Sequence, residues 1–205
     1  MSLIIKNLND LRNQYSLLFC DVWGCVHNGI EAFKSADLAL TAFRKSGGIV
    51  VLLTNAPRPA KAVKRQLDKI GLSDDSYDHI VTAGDAALEF IKKNNLGKKI
   101  YHIGPAKDKS FFDTLFSTSG TYGFSLTPLQ EADFIVCTGL FNDQTETPEN
   151  YRSIFTRAKA QKLSMICTNP DVFVDFGEKR LFCAGALALS YNKIGGQVYS
   201  FGKPF

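Results

Sequence analysis

Short apolar runs alternate along this chain with segments in which apolar residues recur at helical spacing. The runs that predict strands are residues 16–20, 49–53, 99–103, 133–137, 163–167 and 197–201. The segments that predict helices are residues 36–45, 59–70, 83–93, 109–116, 148–160 and 184–193. Alternating strands and helices of this kind predict an α/β protein built on parallel sheets.

The first apolar run ends abruptly at an acidic residue. Residues 16–20 are typical of a strand that is buried on both faces, and Asp21 follows directly. Ligands of open parallel sheets bind beyond the carboxyl ends of the strands, so Asp21 occupies a position suited to chemistry. Gly24 and Gly29 are expected to let the chain turn tightly behind it.

Two further reactive side chains follow predicted strands. Thr54 comes directly after residues 49–53, and Lys203 comes shortly after residues 197–201. Taken singly, an Asp or a Thr at a strand end often caps a turn or the next helix, and a Lys is often solvated. The occurrence of all three after buried strands indicates a chemical site.

Composition and charge narrow the class of protein. The chain has 205 residues, of which 45% are hydrophobic and 21% charged, as in an ordinary globular protein. The net charge of +4 is spread along the sequence, which is typical of a solvated surface rather than of a nucleic-acid site. No apolar stretch has the length of a membrane span, and residues 1–10 lack the layout of a signal peptide. Five cysteines without a C-x-x-C pair indicate free thiols, so a cytoplasmic protein without nucleic-acid or membrane partners is expected.

Three short segments carry a family resemblance. They are Asp-Val-Trp-Gly-Cys-Val-His-Asn-Gly at 21–29, Leu-Thr-Asn at 53–55 and Gly-Lys-Pro at 202–204. Together they resemble the first three motifs of the haloacid dehalogenase (HAD) superfamily. The long insert before the third motif is similar to that of the class IIA, NagD-like branch, as are Cys-Thr-Asn-Pro-Asp at 167–171 and Ala-Gly-Ala at 184–186. The resemblance covers essentially the whole chain.

The resemblance implies both a fold and an activity. The fold would be a Rossmann-like parallel-sheet core of residues 1–78 and 181–205, with an inserted α/β cap of the C2 type at residues 79–180. The activity would be Mg²⁺-dependent hydrolysis of a small phosphorylated metabolite, such as a sugar phosphate, through an aspartyl-phosphate on Asp21.

The resemblance also implies roles for individual residues. Asp21 would attack phosphorus and bind Mg²⁺, with the Trp23 main-chain carbonyl as a second ligand. Thr54 and Lys203 would hold the oxygens of the transferring group. Residues expected to bind phosphate or substrate are Asn55 (through its backbone), Arg58, Thr168, Asn169 and Asp171. For Arg58 a solvated position in the first helical turn is the alternative, and for 168–171 it is a loop held by turn chemistry.

Trp23 departs from the pattern of the family's phosphatases. Those enzymes carry a second Asp at this position, which protonates the leaving oxygen and then activates water. An indole N–H does neither. Three explanations stay open: His27 or a bound water substitutes, the substrate has a good leaving group such as an acyl phosphate, or the chain binds phosphorylated ligands without turnover. For His27 itself, a plain loop position is the alternative.

The family's fourth motif normally follows Gly-Lys-Pro and supplies a further acidic metal ligand, whereas this sequence stops at Phe205. We therefore expect a core that is incomplete at the C-terminus, either as a piece of a longer protein or as a domain completed by a partner chain. Apolar surface beside the first strand is expected to be exposed. A homodimer is a further expectation.

Overall fold

The chain forms two compact units, each built on strands that alternate with helices. The computed structural model describes residues 7–11, 14–117, 123–176 and 179–205. The first unit comprises Met1–Thr54 and Ala60–Val81, and the second comprises Asn55–Pro59 and Thr82–Phe205. The predicted α/β class with parallel sheets is confirmed.

The first unit contains a three-stranded sheet with the order β1-β2-β3. Its strands are β1 (Leu17–Asp21), β2 (Ile49–Thr54) and β3 (His79–Thr82), and its helices are α1 (Lys34–Lys45) and α2 (Ala60–Lys69). β1 and β2 run parallel with Asp21 opposite Leu53, so Asp21 and Thr54 emerge at the same edge of this sheet.

The first strand is less buried than its apolar sequence predicts. Its exposure alternates along the strand, and Leu17 and Phe19 expose 44% and 62% of their surface. The expected burial on both faces is therefore wrong for the described residues. β1 is the outer strand of the three, and an apolar run by itself does not tell an outer strand from a central one. The exposed apolar surface expected beside this strand is present.

The second unit contains a five-stranded sheet with the order β10-β7-β6-β4-β5, in which all pairs are parallel. Its strands are β4 (Lys99–Ile103), β5 (Ser125–Leu126), β6 (Phe134–Cys137), β7 (Ser164–Cys167) and β10 (Gln197–Ser200). The helices are α3 (Ala83–Lys93), α4 (Lys109–Ser117), α5 (Arg152–Ala160) and α6 (Ala184–Lys193). A hairpin of β8 (Phe173–Phe176) and β9 (Lys179–Phe182) completes the unit.

Apolar side chains cover both faces of the central strands in this second sheet. Ile135 and Met165 pack on one face with Tyr191, and Phe134 and Ile166 pack on the other. The Tyr191 hydroxyl donates a hydrogen bond of 2.6 Å to the Leu163 carbonyl. These continuous apolar runs are buried on both faces, as the sequence predicts, because strands flank them on both sides and helices cover both faces.

The last strand belongs to the second sheet. β10 pairs with β7, Gln197 standing opposite Ser164 and Ser200 opposite Cys167. The assignment of residues 1–78 and 181–205 to a core and of residues 79–180 to a cap stays a prediction. The whole of Thr82–Phe205 belongs to the second unit. The pattern of apolar positions in β10 fits either sheet equally well, so the partner strand was not readable from the sequence.

Four of the described strands, β3, β5, β8 and β9, do not correspond to a predicted run, and β5 has only two residues. β3 is a four-residue strand that leads directly into α3, and β8 and β9 form a largely exposed hairpin. Short or exposed strands lack the apolar run on which the other predictions depended. No helix within the described parts of the chain is long and apolar enough to cross a membrane.

The start of α6 predicts a strict requirement for glycine. The Gly185 main-chain N–H donates to the Asp171 carbonyl at 3.0 Å, and a Cβ at this position would overlap the Pro170 carbonyl oxygen. We expect Gly185→Ala to lower the free energy of unfolding by about 1–3 kcal/mol, because this overpacking outweighs the better helix propensity of Ala. Urea denaturation measures the change. On the same helix Leu189→Ala, at a residue 60% exposed, should change stability by less than about 0.5 kcal/mol; an unchanged or raised stability for Gly185→Ala contradicts the prediction.

Candidate active site

Asp21 ends β1 with its carboxylate held by the loop that follows. The Val22 main-chain N–H donates to Oδ1 at 2.8 Å, and the Cys25 thiol donates to Oδ2 at 3.9 Å. The chain reverses at Gly24, whose φ of +77° is rarely adopted by other residues. Asp21 is exposed, so the structure presents an oriented carboxylate at the end of a strand, as the sequence predicts.

Trp23 and His27 pack against each other within this loop. Their rings meet edge to face with centroids 5.2 Å apart, and His27 is only 3% exposed. The His27 Nδ1 atom accepts a hydrogen bond of 2.9 Å from the Gly29 main-chain N–H. An accepting Nδ1 places the ring proton of a neutral histidine on Nε2. His27 therefore takes up a second proton only by giving up the Gly29 bond. This hydrogen bond favours a structural role for His27 in the loop over a role as substitute acid or base.

Thr54 and Asn55 follow each other at the end of β2, and each is 7% exposed. The Asn55 side chain uses three hydrogen bonds. Its Nδ2 donates to Asp171 Oδ1 at 2.8 Å and to the Lys203 carbonyl at 3.1 Å, and its Oδ1 accepts from the Lys203 main-chain N–H at 2.7 Å. These three residues, the Asn55 cluster, join segments that are far apart in the sequence.

Sequence reasoning gave Asn55 a role through its backbone and missed its side chain. The available signal was chemical: a carboxamide offers two donors and an acceptor, and a buried one must satisfy them. The residues that could satisfy them lie in two of the motif segments, at 167–171 and 202–204. Nothing in the spacing of these segments showed which atoms would meet.

Lys203 is placed by the glycine before it. Gly202 has a φ of +115°, and a Cβ there would lie 2.6 Å from Asn55 Oδ1 and 2.9 Å from the Ala83 Cβ atom. The preceding Phe201 N–H donates to the Cys167 carbonyl at 3.1 Å, which continues the pairing of β10 with β7. Only glycine lets the chain approach Asn55 this closely.

Of the three predicted substrate residues after β7, two have local structural roles. Thr168 has no exposed surface, and its hydroxyl donates to the Cys137 carbonyl at 3.1 Å. Asn169 Oδ1 accepts from the Asp171 N–H at 3.0 Å, which is the turn chemistry that stood as the alternative for this loop. Asp171 alone turns its side chain to another candidate residue, Asn55.

Arg58 belongs to a polar group at the carboxyl ends of β4 and β6. Its Nε atom lies 3.9 Å from Oδ1 of Asp108, a carboxylate that is only 3% exposed. Burial raises the pKa of Asp108, and the Arg58 charge and a hydrogen bond with Thr138 oppose that rise. His102 Nε2 lies 2.9 Å from the Thr138 hydroxyl. Sequence analysis did not single out Asp108 or Thr138, although Thr138 directly follows a predicted strand.

The residues around Asp21 fit a hard cation as a partial ligand set. Mg²⁺ is usually held through one or two carboxylates, with waters and substrate phosphate oxygens in the remaining positions. Asp21 offers one exposed carboxylate, and main-chain carbonyls such as that of Trp23 are further oxygen donors. Among the described residues, no three His, Cys, Asp or Glu side chains gather as a metal site.

Known proteins resemble this chain in sequence and in fold. Residues 18–115 match the family model described as haloacid dehalogenase-like hydrolase. The structure of a hydrolase of the haloacid dehalogenase-like family from Brucella suis 1330 is 38% identical, with a TM-score of 0.90, and the match covers 98% of this chain and 71% of that one. This chain belongs to the haloacid dehalogenase-like hydrolase family. The predicted membership is confirmed.

More distant solved structures share the fold of this HAD-like hydrolase. A possible sugar phosphatase of the HAD superfamily from Cytophaga hutchinsonii is 18% identical with a TM-score of 0.77, and the match covers 100% of this chain and 72% of that one. NagD from Escherichia coli K-12 is 24% identical with a TM-score of 0.62, covering 93% and 70%. At such identities the likeness concerns the fold alone. A comparison with curated proteins gives no match.

The environment of His102 predicts a dependence of stability on pH. Burial lowers the pKa of His102 from 6.5 to about 4 in the folded protein. Between these two values the unfolded chain binds a proton that the folded chain does not, so the free energy of unfolding falls as pH drops through this window. NMR titration should give a pKa for His102 well below 6.5. His102→Gln should flatten the acid limb of a stability–pH curve; equal slopes in the variant and the unaltered protein contradict the prediction.

Proposed function

We propose that this HAD-like hydrolase is a phosphatase that hydrolyses a small phosphorylated metabolite, of the sugar-phosphate kind, through a phosphoryl group carried by Asp21. The observation that carries this proposal is the oriented, exposed Asp21 carboxylate at the end of β1. The Cytophaga structure is described as a possible sugar phosphatase, which supports the choice of substrate class.

The first step is a displacement at phosphorus. An Asp21 oxygen forms a bond to phosphorus as the bond from phosphorus to the leaving oxygen breaks, which gives an aspartyl-phosphate. The leaving group departs as a carboxylate from an acyl phosphate or, with a proton taken from water, as an alcohol from a sugar phosphate. The Val22 N–H and the Cys25 thiol hold the carboxylate while it attacks. In the second step water displaces Asp21 from phosphorus and releases inorganic phosphate.

Fixed donors and charges would supply most of the rate enhancement, as in other phosphoryl transfers. The Thr54 hydroxyl and the Lys203 ammonium are proposed to bind the oxygens of the transferring group, and Arg58 adds positive charge. Mg²⁺ bound by Asp21 and the Trp23 carbonyl would neutralise charge on those oxygens. In terms of domains, residues 1–78 and 181–205 would form the catalytic core and residues 79–180 the cap that selects the substrate.

Protonation of the leaving oxygen is the step in which this chain is proposed to differ from the family's phosphatases. Trp23 donates no proton at neutral pH, and His27 is held as a hydrogen-bond acceptor at Nδ1. With a sugar phosphate, a bound water would take the acid's place, whereas a substrate with a good leaving group, such as an acyl phosphate, would need no acid. A cytoplasmic location, inferred from the five free thiols, and a homodimer stay predictions.

Removal of the nucleophile tests the proposal directly. We expect Asp21→Asn to abolish Mg²⁺-dependent phosphate release from every phosphorylated metabolite that the protein turns over, because an amide does not replace the carboxylate as a nucleophile. Phosphate release is measured across a panel of sugar phosphates and acyl phosphates. Asp113→Asn, at an exposed position of α4, is the matched control and should retain full activity. Turnover that survives Asp21→Asn, or binding of phosphorylated ligands with no turnover by the unaltered protein, would reject the proposal.

Restoring the missing acid is the second test. We expect Trp23→Asp to raise the hydrolysis of phosphate monoesters by about 10²-fold or more, since general acid–base groups contribute about 10²–10⁴-fold. Acyl phosphate hydrolysis should change far less, because its leaving group departs without a proton. Trp23→Phe keeps an aromatic ring against His27 without adding a carboxyl group and should show no gain. If monoester hydrolysis does not rise in Trp23→Asp, the lost-acid explanation fails.

A further inference from the structure

The Asn55 cluster carries an inference about how Lys203 is positioned. The oxygen and the NH2 group of a carboxamide are similar in size, but the oxygen accepts hydrogen bonds and the NH2 group donates them. The neighbouring residues therefore determine which way the carboxamide faces. An ionised Asp171 accepts hydrogen bonds and does not donate them. Its Oδ1 atom, 2.8 Å from Asn55 Nδ2, therefore fixes the amino end of Asn55 on its own side.

The opposite end of the carboxamide then meets the Lys203 main chain in the right polarity. Asn55 Oδ1 accepts from the Lys203 N–H at 2.7 Å, and Nδ2 donates its second hydrogen to the Lys203 carbonyl at 3.1 Å. A flipped amide would set an N–H against the Lys203 N–H and an oxygen against Asp171, losing all three bonds. Asp171 thus selects the one orientation of Asn55 that holds both main-chain groups of Lys203.

The packing leaves little room for any other arrangement. Asn55 is 7% exposed, so lost hydrogen bonds are not readily replaced by water. Asn55 Oδ1 can lie this close to Gly202 because glycine has no side chain. A Cβ atom at position 202 would lie 2.6 Å from Asn55 Oδ1. A small displacement of this carboxamide would move the residue next to Gly202, which is Lys203.

We propose that Asn55 and Asp171 are positioning residues that act in sequence, Asp171 orienting the Asn55 carboxamide and Asn55 fixing the main chain that carries the Lys203 ammonium. The proposal rests on the proposed function for the role of Lys203 in binding phosphate. It gives Asp171 a role through Asn55 instead of the direct substrate contact expected from the sequence.

Paired substitutions separate positioning from general stabilisation. Asp171→Ala and Asn55→Asp should each lower kcat by about tenfold to a hundredfold, the cost typical of a misplaced catalytic group, with a smaller change in KM. Asp171→Asn keeps an acceptor oxygen for Asn55 Nδ2 and should retain most activity. The exchanged pair Asn55→Asp with Asp171→Asn restores a donor opposite an acceptor, so it should recover part of the kcat lost in Asn55→Asp. Asp175→Asn, in the neighbouring hairpin, is the control and should match the unaltered protein.

A second measurement tests the hydrogen bonds of the Asn55 cluster without relying on turnover. The Lys203 amide proton should exchange with solvent at least tenfold faster in Asp171→Ala than in Asp171→Asn, and faster still in Asn55→Ala. Binding of inorganic phosphate should weaken in the same order. If the Lys203 amide exchanges equally in all variants, or if the exchanged pair recovers nothing, the positioning proposal is wrong. If exchange responds as expected but the unaltered protein hydrolyses no phosphorylated metabolite, the proposed function fails and the positioning of Lys203 stands.

Discussion

The hydrogen bonds of the Asn55 carboxamide are the constraint on which the candidate site depends. They join a residue that directly follows β2 to partners 116 and 148 positions further along the chain. Each partner lies beyond a different strand of the second unit, Asp171 after β7 and Lys203 after β10. An amide buried this deeply costs free energy unless every polar atom is paired, so the bonds that satisfy Asn55 also fix the two segments that it touches.

Within each unit, parallel pairing places the ends of adjacent strands at one edge of the sheet. In the first unit the register of β1 with β2 sets Asp21 opposite Leu53. In the second unit β7 and β10 are adjacent, so the chain segments after them leave the sheet at the same edge. Strand pairing thus sets which chain segments leave each sheet at the same edge. Side-chain hydrogen bonds at the strand ends then fix the positions of individual residues on those segments. Glycines at 185 and 202 are required where two such segments approach closely.

Much of the local structure could be predicted from the sequence, whereas the long-range pairing could not. The helices α3 and α6 have the predicted bounds, and β2 and β6 are within one residue of them, because apolar period and flanking breakers are local signals. The position of Asp21 at a strand end was likewise readable. The exposure of Phe19, the pairing of β10 with β7 and the side-chain role of Asn55 depend on which segments meet in three dimensions. A single sequence does not show which segments meet, so these three features could not be predicted from it.

The loop after β1 shows how packing and chemistry constrain each other. Trp23 stands where the family resemblance implies an acid, and its ring meets edge to face a histidine that is 3% exposed. That histidine holds the Gly29 N–H through Nδ1, which keeps its own titrating nitrogen occupied. The aromatic residue therefore removes one proton donor and helps to bury another in a bonded state. Under the proposed function, a site built in this way would attack phosphorus with its own carboxylate and would leave the leaving oxygen to the chemistry of the substrate. Selectivity would then begin at the leaving group.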